Sequence, residues 1–262
     1  MAEKIILMSD IHITEPGVDI AGLNPAVRFK RCLEHAAMHH ADANHLFLMG
    51  DLTDKGQYSE YKVLENILDD QPFPVTLMLG NHDQRSAFSA VFSNLQSGFQ
   101  QGIKNFQDTK IFYLDTLNEN AQNIHGGLLC TERLHWLDVN LCSGTSPIII
   151  LSHHHMLDTG FDALDAINLQ NSREVAEMIA ASGRCQMVVT GHIHRILIST
   201  FKGTTHATIK SPCHQMEMVL GSKHLYPEIA DPGGYGVLLL DKQTPILHHV
   251  DVDLSGQESH GI

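Results

Sequence analysis

Positive charge is scarce in this sequence, and its shortage argues against one class of partner. Only 17 lysines and arginines stand against 30 aspartates and glutamates, which gives a formal net charge of −13. An acidic protein repels polyanions, so we expect no dedicated groove for a nucleic-acid polymer. A small anion can still be attracted by bound cations.

Cysteines and long apolar runs are also few. The five cysteines are odd in number and show no metal-ligand spacing, so we interpret them as mostly buried thiols in a reducing compartment. No apolar run approaches the ~20 residues of a membrane-spanning helix, and no basic and apolar leader precedes the first predicted strand. These absences predict a soluble cytoplasmic protein without a membrane partner. Repeats, heptads and a Gly-rich nucleotide loop are missing as well.

Histidine, in contrast, is abundant, with 19 copies. Most isolated histidines are surface or helix-end residues, so we consider only those that follow predicted strands. The apolar run 45–49 suits a strand buried on both faces, and Gly50 then lets the chain turn and leave Asp51 at the sheet edge. Such edges are where open α/β sheets keep their sites.

Five predicted strands end in polar side chains, and four of them show the same order of apolar run, small residue and polar group. The polar residues at these ends are Asp10 and His12; Asp51; Asn81, His82 and Asp83; His153, His154 and His155; and His192 and His194. One such junction means little, but five in order predict a shared site. Buried polar groups are costly without partners, so an open site or a tight hydrogen-bond network is expected.

The candidate ligands are carboxylates, imidazoles and one amide oxygen, a set that suits Mn, Fe, Zn or Co. There are seven of them, which is too many for one ion with an open position: Asp10, His12, Asp51, Asn81, His153, His192 and His194. They fit two ions that share Asp51 as a bridging carboxylate. With ions ~3.5–4 Å apart, a bridging water loses a proton near neutral pH and attacks phosphorus in line.

Two local expectations concern the loops that carry these residues. If the segment after the first strand stays extended, Asp10 and His12 point the same way and can reach one ion. Asp54, on the loop after Asp51, is expected to hold the loop or orient a ligand rather than bind metal.

Taken together, the motifs resemble those of the calcineurin-like metallophosphoesterases. The family pattern corresponds here to Asp10-Ile11-His12, Gly50-Asp51-Leu52-Thr53-Asp54, Gly80-Asn81-His82-Asp83, His153 and Gly191-His192-Ile193-His194. The resemblance implies an α/β fold, a four-layer αββα sandwich of two mixed β-sheets flanked by helices. It also implies a homo-oligomer, a dimer or larger.

The resemblance further implies a role for each candidate. One ion would be held by Asp10, His12, Asp51 and His194, and the other by Asp51, Asn81, His153 and His192. His82 would contact the substrate phosphate, and two roles stay open for it: protonation of the leaving oxygen, or an outer hydrogen bond only.

The ligand within the run of three histidines is not fixed by sequence. Similar enzymes often have two histidines followed by two prolines, with the first histidine as ligand. This chain has His155 and Met156 where the prolines would be. We assign His153, with His154 as the alternative.

Within the family, the sequence most resembles bacterial cyclic-nucleotide and glycerophosphodiester phosphodiesterases, through its compact length, the 80–83 motif and the segment 211–215. We expect hydrolysis of small phosphodiesters, with 3',5'-cyclic AMP as the leading candidate. The alternatives are a glycerophosphodiester, a phosphomonoester or a nucleotide pyrophosphate as substrate, and a scaffold without catalysis. Residues that could approach the substrate pocket are His214, His206 and Tyr235.

The rest of the chain is expected to form one domain over residues 1–262. Short strands without intervening helices fill 196–254 and predict antiparallel hairpins that complete a second sheet, with a turn at Lys202-Gly203. Residues 255–262 form a polar tail. Residues 99–108 are expected to be a loop.

Caps predict where several helices begin. Asn24 followed by Pro25 indicates one helix start, and Thr131 is expected to cap another. Asn171 with Glu174 three residues later has the pattern of a capping box.

Overall fold

The computed structural model describes residues 3–93, 95, 98–120, 125–224, 227–241 and 244–254, so the predicted tail 255–262 lies outside the described residues. The elements in chain order are β1 Glu3–Met8, α1 Pro25–His39, β2 His45–Met49, α2 Tyr58–Leu68, β3 Val75–Met78, α3 Arg85–Val91, β4 Gly102–Phe106, β5 Thr109–Tyr113, α4 Thr131–Leu141, β6 Ile148–Ser152, α5 Asp162–Asp165, α6 Ser172–Ala181, β7 Cys185–Thr190, β8 Ile198–Phe201, β9 Thr204–Thr208, β10 Gln215–Met216, β11 Glu228–Ile229, β12 Gly234–Leu240 and β13 Pro245–Asp251.

Two mixed sheets form the centre of the molecule. The five-stranded sheet has the order β13-β12-β1-β2-β3, with β1, β2 and β3 parallel and the last two strands of the chain antiparallel. The six-stranded sheet has the order β4-β5-β6-β7-β9-β8, with a parallel centre and antiparallel edges. Strands β10 and β11 form a separate ribbon.

The two sheets pack face to face, and helices cover their outer faces. Phe47 and Met78 of one sheet share a buried cluster with Ile149 and Val189 of the other. Helices α1, α2 and α3 cover the five-stranded sheet, and α4 and α6 cover the six-stranded one. This is the expected four-layer αββα sandwich, and it explains why β2 is apolar at successive positions, since both of its faces are buried.

The first helix begins as predicted. The Asn24 side-chain oxygen accepts a hydrogen bond from the Val27 N–H at 3.0 Å, and Pro25 is the first helical residue. Within the described ranges, no helix has the length and apolar character needed to span a membrane.

The predicted cap at Thr131 was wrong, and Asn171 is the N-cap of α6 as predicted but does not form a capping box. Thr131 is the first residue of α4, and Cys130 is its N-cap. Asn171 precedes α6, but its side-chain oxygen accepts from the Leu129 N–H at 3.2 Å and its amide donates to the Leu129 carbonyl at 3.0 Å. The predicted capping box with Glu174 therefore does not form, because a distant backbone segment takes the Asn171 side chain.

Two predictions about strands also need correction. Residues 99–108 were expected to be a loop but contain β4, a half-buried edge strand whose alternation is weak. The late hairpins do not complete one sheet: β8 and β9 extend the six-stranded sheet, and β12 and β13 extend the five-stranded one. Each hairpin covers an edge that the parallel strands would otherwise leave unpaired. The turn at Lys202 and Gly203 lies where predicted, with φ of 48° and 91°.

Candidate metal centre

The carboxyl ends of β1, β2, β3, β6 and β7 meet where the two sheets face each other. The structure brings all seven predicted ligands to this point. Nε2 of His194 lies 3.3 Å from an Asp10 carboxylate oxygen and 3.3 Å from Nε2 of His12. Oδ2 of Asp51 lies 3.7 Å from Nε2 of His12 and 3.3 Å from Nε2 of His153. Asp51 is thus central, as the bridging assignment requires.

The remaining two predicted ligands complete the cluster. Oδ1 of Asn81 lies 3.1 Å from Nε2 of His153. The backbone N–H of His192 donates to the Asp10 carboxylate at 3.1 Å, and the ring centroids of His192 and His153 are 5.2 Å apart.

Three of these histidines are oriented by backbone carbonyl groups. Nδ1 of His153 donates to the Met49 carbonyl at 3.0 Å, and Nε2 of His192 donates to the Ile167 carbonyl at 3.1 Å. Nδ1 of His194 donates to the His214 carbonyl at 3.0 Å. A carbonyl oxygen can only accept, so each hydrogen bond places the ring proton there and leaves a lone pair on the other ring nitrogen. This is the arrangement that metal-ligating histidines normally have.

The hydrogen bonds of the ring nitrogens also distinguish His153 from His154. Nε2 of His154 donates to the His125 carbonyl at 3.1 Å, and Nδ1 accepts from the Thr116 hydroxyl at 2.7 Å. Both ring nitrogens of His154 are therefore engaged away from Asp51. The geometry favours His153 as the ligand.

The electrostatics of the cluster suit cations. Burial alone would raise the pKa of the Asp51 carboxyl, but the charges of His153 and His82 hold it well below its usual value. Burial opposes protonation of His153, yet the Asp51 carboxylate raises its pKa to about 9. Burial lowers the pKa of His12 and of His192 and keeps both rings neutral. Carboxylates and neutral imidazoles are the donor set of a divalent metal, which would displace the His153 proton.

The loops that carry the ligands are tightly turned rather than extended. Asp10 and His12 have φ of 60° and 45°, which corrects the expectation that their segment continues the strand. Glycines let the loops approach closely. A Cβ on Gly80 would collide with the backbone nitrogen of Asp51, and a Cβ on Gly191 would collide with the Ser9 hydroxyl.

The neighbouring polar residues hold this arrangement. Nδ1 of His82 donates to the Asp54 carbonyl at 2.7 Å, and the His82 backbone N–H donates to Asp51 Oδ1 at 2.9 Å. The Asp54 backbone carbonyl therefore orients His82, and its carboxylate lies 3.7 Å from Nδ1 of the candidate ligand His12. The Asp83 carboxylate points inward and accepts from the backbone N–H groups of Leu52 and Gly80 at 3.1 and 2.9 Å.

A cavity of about 190 Å³ opens beside the cluster. His214 lines it, as expected, but Tyr235 hydrogen-bonds His35 at 2.8 Å and His206 lies in β9, so these two expectations were wrong. Sequence reasoning missed six lining residues, none of which directly follows a predicted parallel strand: Ile20, His125, Leu164, Ile167, Met216 and Glu228. His125 accepts from the Asn81 amide at 3.0 Å.

A two-sheet sandwich with a cluster of histidines and carboxylates at its strand ends is typical of a metal-dependent hydrolase, and comparison with known protein families identifies which one. The calcineurin-like phosphoesterase family matches residues 3–195, and the chain belongs to this family. Its membership and its phosphodiesterase-named relatives make it a metal-dependent hydrolase.

Two relatives by sequence are named as phosphodiesterases, and a solved phosphatase structure has the same fold. The chain is 31% identical over 250 residues to a probable cyclic nucleotide phosphodiesterase of Rhodopseudomonas palustris, covering 94% of this chain and 91% of that protein. It is 23% identical over 191 residues to a glycerophosphodiester phosphodiesterase of Enterobacter lignolyticus, covering 70% and 67%. A dimetal phosphatase from Danio rerio shares the fold, with a TM-score of 0.71 at 12% identity, over 94% of this chain and 95% of that one.

Proposed function

We propose that this protein hydrolyses small phosphodiesters with two metal ions, and that 3',5'-cyclic AMP is its leading candidate substrate. One observation carries the proposal. His153, His192 and His194 each donate one ring N–H to a backbone carbonyl, which turns the other ring nitrogen toward a buried cluster that contains the Asp10 and Asp51 carboxylates. Such a set is costly to bury unless cations fill it.

The residues divide between two ions as the sequence motifs imply. Asp10, His12, Asp51 and His194 would hold one ion, and Asp51, Asn81, His153 and His192 would hold the other. When bound, two such ions would supply an activated water molecule and would stabilise the negative charge that develops on the phosphate oxygens. The protein contributes a fixed arrangement of donors, because backbone hydrogen bonds orient the rings before any substrate arrives.

His82 is proposed to meet the substrate phosphate and to protonate the leaving oxygen. Its Nδ1 is bound to the Asp54 carbonyl, so Nε2 is the nitrogen available to the cavity that His82 lines. Poor leaving groups need such a proton more than activated ones do. The leaving group of a cyclic nucleotide is a ribose oxygen, which is a poor leaving group without a proton. Cleavage of a cyclic nucleotide should therefore depend on His82 more than cleavage of a p-nitrophenyl ester does.

The volume of the cavity and the names of the relatives both support a small phosphodiester as the substrate. Its volume of about 190 Å³ lies below the ~300–1,000 Å³ of typical ligand pockets, which favours a compact substrate over a polymer. The names of the relatives suggest cyclic nucleotides or glycerophosphodiesters.

The test is a substrate panel with metal-stripped protein reloaded with Mn. The substrates are cyclic AMP, bis(p-nitrophenyl) phosphate, glycerophosphocholine and p-nitrophenyl phosphate. We expect both the cyclic nucleotide and the aryl diester to be cleaved in preference to the monoester. Asp51→Asn should lose about a hundredfold or more of the turnover together with bound metal, measured by elemental analysis.

The results distinguish a phosphodiesterase from a phosphomonoesterase and from a scaffold without catalysis. Preference for the monoester would contradict the diesterase proposal, and two bound ions without turnover would favour a scaffold. His82→Ala should keep its metal and cleave the aryl diester while losing cyclic AMP turnover. An equal effect on both substrates would refute the acid role.

A further inference from the structure

The cavity beside the metal centre is lined in part by residues that are neither candidate ligands nor their polar neighbours. Once the candidate ligands and the polar residues around them are set aside, four apolar side chains and one carboxylate remain among its described lining residues: Ile20, Leu164, Ile167, Met216 and Glu228. An apolar wall suits the esterified group of a substrate, whereas the carboxylate needs a separate explanation.

The β10–β11 ribbon presents two of these side chains together. Met216 and Glu228 are direct cross-strand partners, so they project from the same face of the ribbon. Arg195 donates to the Met216 carbonyl, and its guanidinium pairs with Asp231 at 3.0 Å. The segment just before the ribbon also accepts the hydrogen bond from His194 at the His214 carbonyl, at 3.0 Å. The ribbon is therefore fixed relative to the metal centre.

Glu228 has no evident structural role. In the part of the chain that the structure describes, its carboxylate makes no hydrogen bond or ion pair, and the residue is exposed. It lines the same cavity as the candidate ligands His12 and Asp51. A carboxylate there repels an anionic phosphate. A hydrogen-bond donor on another part of the substrate would be a favourable partner for it.

We propose that Met216 and Glu228 form the subsite for the esterified group, and that this group is a nucleobase carrying an amino group. The inference rests on the proposed function. The apolar side chains, Met216 with its thioether among them, pack against the flat face of the base. Glu228 accepts a hydrogen bond from the exocyclic amino group. Four apolar side chains suit the large apolar face of a base better than a small amino alcohol.

The experiment compares two substrates that differ only at the amino group. Cyclic AMP and the 3',5'-cyclic monophosphate of purine riboside have the same charge and the same ring, but the second has hydrogen in place of the amino group. We would measure kcat/KM for both, and for bis(p-nitrophenyl) phosphate, with the Mn-loaded full chain and its Glu228→Ala and Glu217→Ala variants. Glu217 is the neighbour of Met216 and is exposed outside this cavity. Its variant loses the same charge from a position directly after β10 that does not line this cavity.

The wild type should prefer cyclic AMP by on the order of tenfold, as expected for one hydrogen bond to a charged acceptor. Glu228→Ala should abolish that preference and leave the aryl diester within about twofold, while Glu217→Ala keeps the preference. Equal use of the two nucleotides by an active wild type would overturn the inference, as would a preference that survives Glu228→Ala. Faster cleavage of glycerophosphoethanolamine than of either nucleotide would overturn the assignment of a base. If no diester is cleaved at all, the proposed function itself fails.

Discussion

At the scale of single residues, the candidate metal centre concentrates unusual backbone conformations. Five of its seven proposed ligands lie in the left-handed region, with φ between 45° and 70°: Asp10, His12, Asp51, His192 and His194. This conformation costs an L-residue about 1–2 kcal/mol. Hydrogen bonds between loops offset the cost, because the N–H groups of Asp10 and His12 donate to the carbonyls of Gly50 and Asp51 at 3.0 Å. These hydrogen bonds therefore hold the strained ligand loops in place ahead of the metal.

The choice between two adjacent histidines gives a prediction at this scale. His153→Ala should lower the Mn content by about one ion per chain, because its free ring nitrogen faces Asp51 and Asn81. His154→Ala should retain both ions, since both ring nitrogens of His154 are engaged elsewhere. Elemental analysis after gel filtration measures the difference.

The two variants are well matched, because both side chains are fully buried and each truncation leaves a similar void. Circular dichroism would confirm that both proteins are folded. Metal loss in His154→Ala alone would move the ligand to His154.

At the scale of elements, Asp83 links the loops after β2 and β3 to helix α2. Its carboxylate accepts from the Leu52 and Gly80 N–H groups and from the Tyr61 hydroxyl, the last at 2.8 Å. Tyr61→Phe should lower the free energy of unfolding by about 2 kcal/mol, because a buried carboxylate loses a donor. Urea unfolding of the metal-free protein at pH 8 measures this. At pH 8 Asp83 is ionised, since burial and the Asp51 charge raise its pKa only to about 6.

A matched variant on the same helix serves as the control. Tyr58 is 55% exposed, so Tyr58→Phe should change stability little. Equal stability of Tyr61→Phe and the wild type would show that Asp83 does not need the tyrosine.

Elements buried on both faces could be predicted from sequence, and their neighbours could not. Strand β2 gives a continuous apolar run because helices and a second sheet cover it, whereas β4 is a half-buried edge strand and gives little pattern. The Asn171 capping box does not form, and His125 was missed, for one reason: their partners Leu129 and Asn81 lie 42 and 44 positions away. Local patterns carry no information about such pairs.

At the scale of the whole molecule, the packing that aligns the strand ends also buries histidines remote from the site. His45 in β2 and His206 in β9 are 6% and 7% exposed, and burial is the main cause that lowers the pKa of each to about 4. An unfolded chain binds a proton at these residues near pH 6.5, and the folded chain does not. The layered fold is therefore expected to be sensitive to acid.

His206 provides the test, because burial alone lowers its pKa. Its contribution to stability is complete above about pH 6.5 and is lost as the pH falls toward 4, since the unfolded state then binds the extra proton. Between pH 7.5 and 5 this loss amounts to about 2 kcal/mol. His206→Gln should therefore show a correspondingly smaller fall in unfolding free energy than the wild type, measured with urea in the metal-free protein. His135→Gln, on the exposed side of α4, should behave as the wild type does. The same fall in His206→Gln and the wild type would show that His206 binds a proton as readily in the folded state as in the unfolded one.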